Sequence, residues 1–169
     1  MSSEKQGGRR WLRWARDIAV VVVVVLAVQW WQTRDVAKGE APPLAGHLLD
    51  GRLVALGDYR GAPVLVHFWA SWCPICRFEE ASIDRIARDH RVITVATSSG
   101  TPAELEAYLL ERGVSFDVLP DESGDLGRLW GVVGVPATFV VDAGGNIAHA
   151  TVGYTTEWGL RARLWLAGL

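Results

Sequence analysis

Apolar residues recur along the chain in three patterns, and each predicts a different element. The first is a continuous run, Ile18–Val28 ("IAVVVVVVLAV"), extended by Gln29-Trp30-Trp31 and free of charge. The second is the short dense block, as in "APVLVHFWA" (Ala62–Ala70) and "RVITVATS" (Arg91–Ser98). Blocks of that length suit strands covered on both faces. The third is a block of apolar positions spaced for a helix. Pro74 opens one that runs to about His90, proline being tolerated where its missing N–H costs no bond. Thr101-Pro102-Ala103-Glu104 is a capping box at the head of another, ending near Gly113.

The remaining segments follow the same logic. "HLLDGRLVAL" (His47–Leu56) predicts a hairpin turning at Asp50-Gly51. "VSFDVLP" predicts a strand and Gly124–Trp130 a short helix. "PATFVVD" (Pro136–Asp142) and "NIAHATVG" (Asn146–Gly153) predict paired strands joined by Ala143-Gly144-Gly145, and Thr155–Ala167 a closing helix. Strands alternating with helices, then a final hairpin, predict an α/β sandwich with a mixed sheet.

Charge divides the chain. Before residue 40, seven basic residues stand against three acidic ones; from residue 40 onward come ten arginines, sixteen acids and no lysine. An acidic body without a basic stripe argues against nucleic acid as a partner. The basic N-terminal end (residues 1–17) beside an apolar run of residues 18–31 predicts a transmembrane signal anchor. Trp11, Trp14, Trp30 and Trp31 suit the two interfaces, and Arg13 and Arg16 can snorkel. A cleaved signal peptide is the rival reading, but no good small-residue cleavage site follows the run. Residues 32–43, ending in Pro42-Pro43, predict a linker, and residues 44–169 the folded domain. Positive charge before the span places the N-terminus in the cytoplasm and the domain outside a bacterial inner membrane, in an oxidising compartment.

The chain holds two cysteines, Cys73 and Cys76, at a strand-to-helix junction. A helix N-terminus favours the thiolate, the reactive form. Three residues on, the second sulfur falls beside the first, so one thiol can attack a partner disulfide and the other resolve the product. A structural bridge over so short a loop adds little stability. Zinc calls for more ligands than this pair, and the histidines at 47, 67, 90 and 149 are scattered, so no metal site is expected. No cofactor is expected beyond a redox-active Cys73–Cys76 disulfide. A thiol-based copper carrier and a tethered chaperone using the Trp72/Pro136 patch remain as alternatives from another class.

"VLVHFWASWCPIC" and "GVVGVPATFVVDAGGNI" together resemble the thioredoxin superfamily. The chain is most similar to its exported, membrane-anchored TlpA-type members, especially the protein disulfide oxidoreductases of suppressor-of-copper-sensitivity clusters. The resemblance implies a thioredoxin-like fold and a cis peptide between Val135 and Pro136 facing the cysteines, with backbone groups offered to substrate. It implies Cys73 as nucleophile, Cys76 as resolving thiol, and Trp72 in an apolar contact patch beside an exposed thiol. His67 stands where thioredoxin carries a buried aspartate, and Glu79 where many TlpA-type proteins place a glutamate. Each reads either as a proton carrier or as an ordinary packed or solvated residue. The proline that commonly follows that glutamate is absent, leaving the helix kink open.

Partners implied are exported proteins bearing thiols or disulfides, and a membrane electron carrier that would re-reduce the pair. The short segment between Cys76 and Pro136 leaves no room for the helical insertion of DsbA-type oxidases, and tethering suits a reductase. Cytochrome c maturation is the rival pathway, although Ala137 replaces the acid usual after that cis-proline. Peroxidase relatives use a threonine–x–x–cysteine site, whereas this chain reads Ala70-Ser71-Trp72-Cys73.

Overall fold

The computed structural model describes residues 11, 14–24, 27 and 37–169. The chain divides into two units, Met1–Arg34 and Asp35–Leu169. In the first, residues 14–24 are helical with exposed side chains. Among the described residues no helix is long and apolar enough to cross a membrane. Of the expected 18–31 span, residues 25–26 and 28–31 lie outside the described residues, as do 32–36 of the expected linker.

The second unit is built on a six-stranded mixed sheet. Its strands are β1 (Gly39–Glu40), β4 (Val64–Trp69), β5 (Arg91–Thr97), β6 (Val118–Asp121), β7 (Ala137–Val141) and β8 (Asn146–Val152), in the order β1-β8-β7-β4-β5-β6. β4, β5 and β6 run parallel; β7 is antiparallel to β4 and β8 antiparallel to β7, and β4 lies inside the sheet between β7 and β5. A separate hairpin pairs β2 (Ala45–His47) with β3 (Leu53–Ala55) around the turn at Gly51, whose φ of +83° a side chain would resist. The helices are α1 (Pro74–Asp89), α2 (Pro102–Arg112), α3 (Asp125–Leu129) and α4 (Glu157–Ala167).

Strand alternation explains why β4 reads as a dense apolar run with His67 its one polar member. Val64, Val66 and Phe68 enter one core with Ile93, Val95, Trp130 and Phe139. Leu65 and Trp69 enter the other with Cys73, Cys76, Ile83, Ile86, Leu160 and Leu164. A strand between two cores has no polar face to display.

The differences from the predicted elements are local, and each has a cause. The strand expected from "VSFDVLP" begins only at Val118. Ahead of it, the Ser115 backbone N–H and hydroxyl both donate to the Asp84 carboxylate, which holds that stretch off the ladder. The last helix begins at Glu157, capped by Thr156, because the Thr155 N–H is committed to Glu79. Within the stretch expected as a linker, Gly39–Glu40 pairs with β8 and the Ala41 N–H donates to the Gly145 carbonyl, adding an edge strand. The capping box at Thr101 and Glu104 forms as expected, and Gly113 closes α2 in the left-handed conformation.

Candidate active site

β4 delivers the chain to the edge of the sheet, and a tight turn carries it into α1. The Cys73 N–H donates to the Ala70 carbonyl at 3.1 Å, closing that turn. Cys73 is the N-cap of α1, with extended φ and ψ of −85° and 114°. Its sulfur stands where a serine or aspartate oxygen usually sits, and the Cys76 N–H donates to it at 3.2 Å. That bond seats the Cys73 sulfur against the unpaired N–H end of α1. Both thiols are free.

The second half of the site arrives from the far end of the sequence. The Val135–Pro136 peptide is cis, as the resemblance implied. The Cys73 S–H points to the Val135 carbonyl, 3.6 Å away. Cys73 was expected as an exposed thiol; it is only 4% exposed, because this loop covers it. Trp72 is the exposed member, at 61%, with its indole N–H donating to the Ser98 carbonyl at 2.9 Å. The two thiols are unequal: Cys76 is buried behind Cys73, and burial, then the bond to Cys73, then the charges of Cys73 and Glu79 push its thiol upward against the backbone bond with Ala70.

The two ionisable residues singled out in the sequence part company. His67 is buried in β4, in register with Thr138 on β7 and Thr94 on β5. Its Nδ1 shares a 2.9 Å hydrogen bond with Thr138 Oγ1, and burial lowers its pKa to about 3, leaving it neutral. Among the described residues no hydrogen bond joins it to Cys76 or Glu79.

Glu79 lies one turn beyond Cys76 and faces inward from α1, which runs unbroken through this position. One carboxylate oxygen accepts from the Thr155 N–H; the other, Oε2, is buried without a partner. Burial raises this carboxyl to about 7, against the backbone bond from Thr155, which lowers it. A buried acid near neutrality beside a thiol whose own ionisation is opposed is suited to accept its proton.

Sequence reading missed Ser71, Ser98, Ser99 and Thr155. "TSSG" reads as an ordinary turn, and Thr155 acts through its backbone, so neither left a signal in residue type. The Arg77 guanidinium donates to the Ser71 carbonyl at 3.2 Å. No group of three or more His, Cys, Asp or Glu side chains that could hold a metal ion occurs among the described residues.

A dithiol at a helix N-terminus facing a cis-proline loop, on a mixed sheet, defines the thioredoxin-like class. The AhpC/TSA family model matches residues 37–150, and the chain belongs to that family. It is 28% identical over 153 residues to a thioredoxin-like protein of Haemophilus influenzae, covering 89% of this chain and 91% of the relative. It is 36% identical over 119 residues to the thiol:disulfide interchange protein HelX of Rhodobacter capsulatus, covering 70% of this chain and 62% of HelX. Over 95 residues it is 45% identical to the thiol:disulfide interchange protein DsbE of Allochromatium vinosum, covering 55% of this chain and 52% of that relative. Among solved structures, the exposed lipoprotein thioredoxin of Streptococcus pneumoniae superposes with a TM-score of 0.66. It has 27% identity to this chain, covering 73% of this chain and 98% of the pneumococcal one.

Proposed function

We propose that the protein is a thiol-disulfide oxidoreductase acting on partner proteins, in the reductase direction, from a membrane tether. The observation that carries this reading is the placement of Cys73. Its sulfur accepts the Cys76 N–H at the head of α1 and lies against the Val135 carbonyl of the cis-proline loop. The names of the relatives agree in activity, and the chain spans 52% and 62% of the DsbE and HelX relatives.

Each step balances in electrons and protons. The Cys73 thiolate attacks one sulfur of the partner disulfide; a Cys73–partner bond forms and the other partner sulfur leaves as a thiolate. Cys76 then loses its proton to the Glu79 carboxylate and attacks Cys73. The Cys73–Cys76 disulfide forms and the partner leaves with both of its sulfurs reduced. Two electrons have passed to the partner, and a dithiol carrier in the membrane would restore the pair. Trp72, Val135 and Pro136 supply the contact surface; His67, neutral and tied to Thr138, is assigned to the core.

Residues 18–31 form the proposed anchor, with residues 1–17 cytoplasmic and the domain in the periplasm. The apolar run and its basic flank support this; a copper-tolerance setting rests on the resemblance alone. Exchange dedicated to cytochrome c maturation keeps the same residues in the same roles and changes only the partner; Ala137 weighs against it.

The test is a Cys76→Ser trap in cells. Mixed disulfides should accumulate through Cys73 and vanish in Cys73→Ser/Cys76→Ser. Identifying the captured proteins separates the two pathways, and a trap that captures nothing overturns the reading.

A further inference from the structure

β4 and β5 are parallel neighbours paired as far as Trp69 and Ala96, so the segments leaving their ends run side by side. One is the turn into Cys73; the other is Thr97–Gly100, between β5 and α2. They are joined reciprocally. The Ser71 N–H donates to Ser99 Oγ at 3.1 Å, and the Ser71 hydroxyl donates to the Ser99 carbonyl at 3.2 Å. Ser99 Oγ in turn donates to the Thr97 carbonyl at 2.9 Å, so this hydroxyl is oriented and buried. The indole N–H of Trp72 donates to the Ser98 carbonyl.

Ser98 has φ +48°, the sole non-glycine at positive φ among the described residues. A left-handed serine is disfavoured in isolation, so neighbouring bonds must hold it. The Ser98 N–H is tied to the Asp121 carbonyl of β6 at 2.8 Å, and its own carbonyl is the one Trp72 uses. The indole so fixed walls one side of a groove of about 230 Å³ whose other side is Val132–Val135. Thr97, Ser98, Gly124 and Gly127 also line it. A Cβ at Gly124 would meet Ser98 Oγ at 3.0 Å, and one at Gly127 would meet Thr97 Oγ1 at 2.9 Å, so the glycines let α3 close against this loop.

We infer that Ser98 and Ser99 are positioning residues for exchange: they latch Trp72 and the turn at Ser71 so that the groove beside Cys73 is preformed for the polypeptide flanking a partner cysteine. This rests on the exchange reading above. A small disulfide reaches Cys73 without filling the groove, so the latch affects discrimination between protein and small disulfides more than the chemistry itself.

The test compares two probes on the reduced full chain. One is a peptide whose single cysteine is capped as a mixed disulfide with thionitrobenzoate; the other is free dithiobis(nitrobenzoate). In each, the Cys73 thiolate displaces a coloured thionitrobenzoate anion and Cys76 resolves the bond. In Ser99→Ala the KM for the peptide should rise about tenfold, with kcat and the small-disulfide rate within about twofold of wild type.

Ser71→Ala, which removes the other bond of the same tie, should act alike. Ser99→Thr, which keeps the hydroxyl, should restore the peptide KM. If Ser99→Ala melts early by circular dichroism, Ser71→Ala breaks the same tie from the other side. A peptide KM unchanged in these variants, or both probes slowed equally, overturns the inference. A wild-type protein that releases no thionitrobenzoate from either probe overturns the exchange reading instead.

Discussion

His67 in the central strand and Glu79 in the first helix are both buried, ionisable and close in sequence to the cysteine pair. The fold gives them opposite behaviour. His67 sits within the sheet, flanked in register by Thr94 and Thr138, and burial leaves it neutral down to about pH 3. Glu79 comes from the helix that carries both cysteines, has one oxygen held by Thr155 and one without a partner, and titrates near 7. A buried group becomes a proton carrier when its value falls near working pH and its partner is the reacting atom. Glu79 meets the first, and its unpartnered Oε2 leaves it free to meet the second; His67 meets neither.

The largest expected effect separates them by rate. Glu79→Gln keeps the shape and removes the base, so attack by Cys76 should slow on the order of 10²-fold. In wild type that step should quicken as pH rises through about 7, where Glu79 ionises. The variant should lose the inflection, read by stopped-flow loss of a Cys73 mixed disulfide. His67→Ala should leave the same rate within about twofold. An equal loss in both variants would erase the distinction.

Stability should show the reverse ranking. His67→Ala leaves a cavity and deprives Thr138 of its partner, costing about 2–4 kcal/mol in denaturant unfolding. The signs of the pH dependence also oppose each other. The value of His67 is lower folded, about 3, than the ordinary 6.5, so the unfolded chain binds the extra proton and stability falls as pH drops between them. Glu79 is higher folded, about 7 against 4.5; its contribution is intact below 4.5 and is lost as pH rises through 7. His67→Gln should therefore flatten the acid limb, and Glu79→Gln the neutral one. The smallest effect is on stability alone: Thr101→Ala breaks the α2 capping box and should cost about 1 kcal/mol in denaturant unfolding.

Much of this site was legible because its signals are local. Proline and cysteine spacing place a helix start at Cys73, glycine and aspartate mark the hairpin turns, and dense apolar blocks mark strands between two cores. The cis-proline loop was reached through resemblance alone, since nothing local in "GVP" says which residue it will face. The site's outer ties were not legible at all. Ser99 meets Ser71 only because β4 and β5 pair in parallel, and Thr155 meets Glu79 only because α4 packs beside α1.

The sequence by itself determined the cysteine pair, its spacing and the elements that present it, because those depend on neighbours within a turn or a strand. Tertiary structure decided that Cys73 is covered, that burial raises Glu79 toward neutrality while keeping His67 uncharged, and that Trp72 is held by Ser98. Those outcomes depend on desolvation and on contacts between distant segments, which appear only once the sheet has closed and the helices have packed on it.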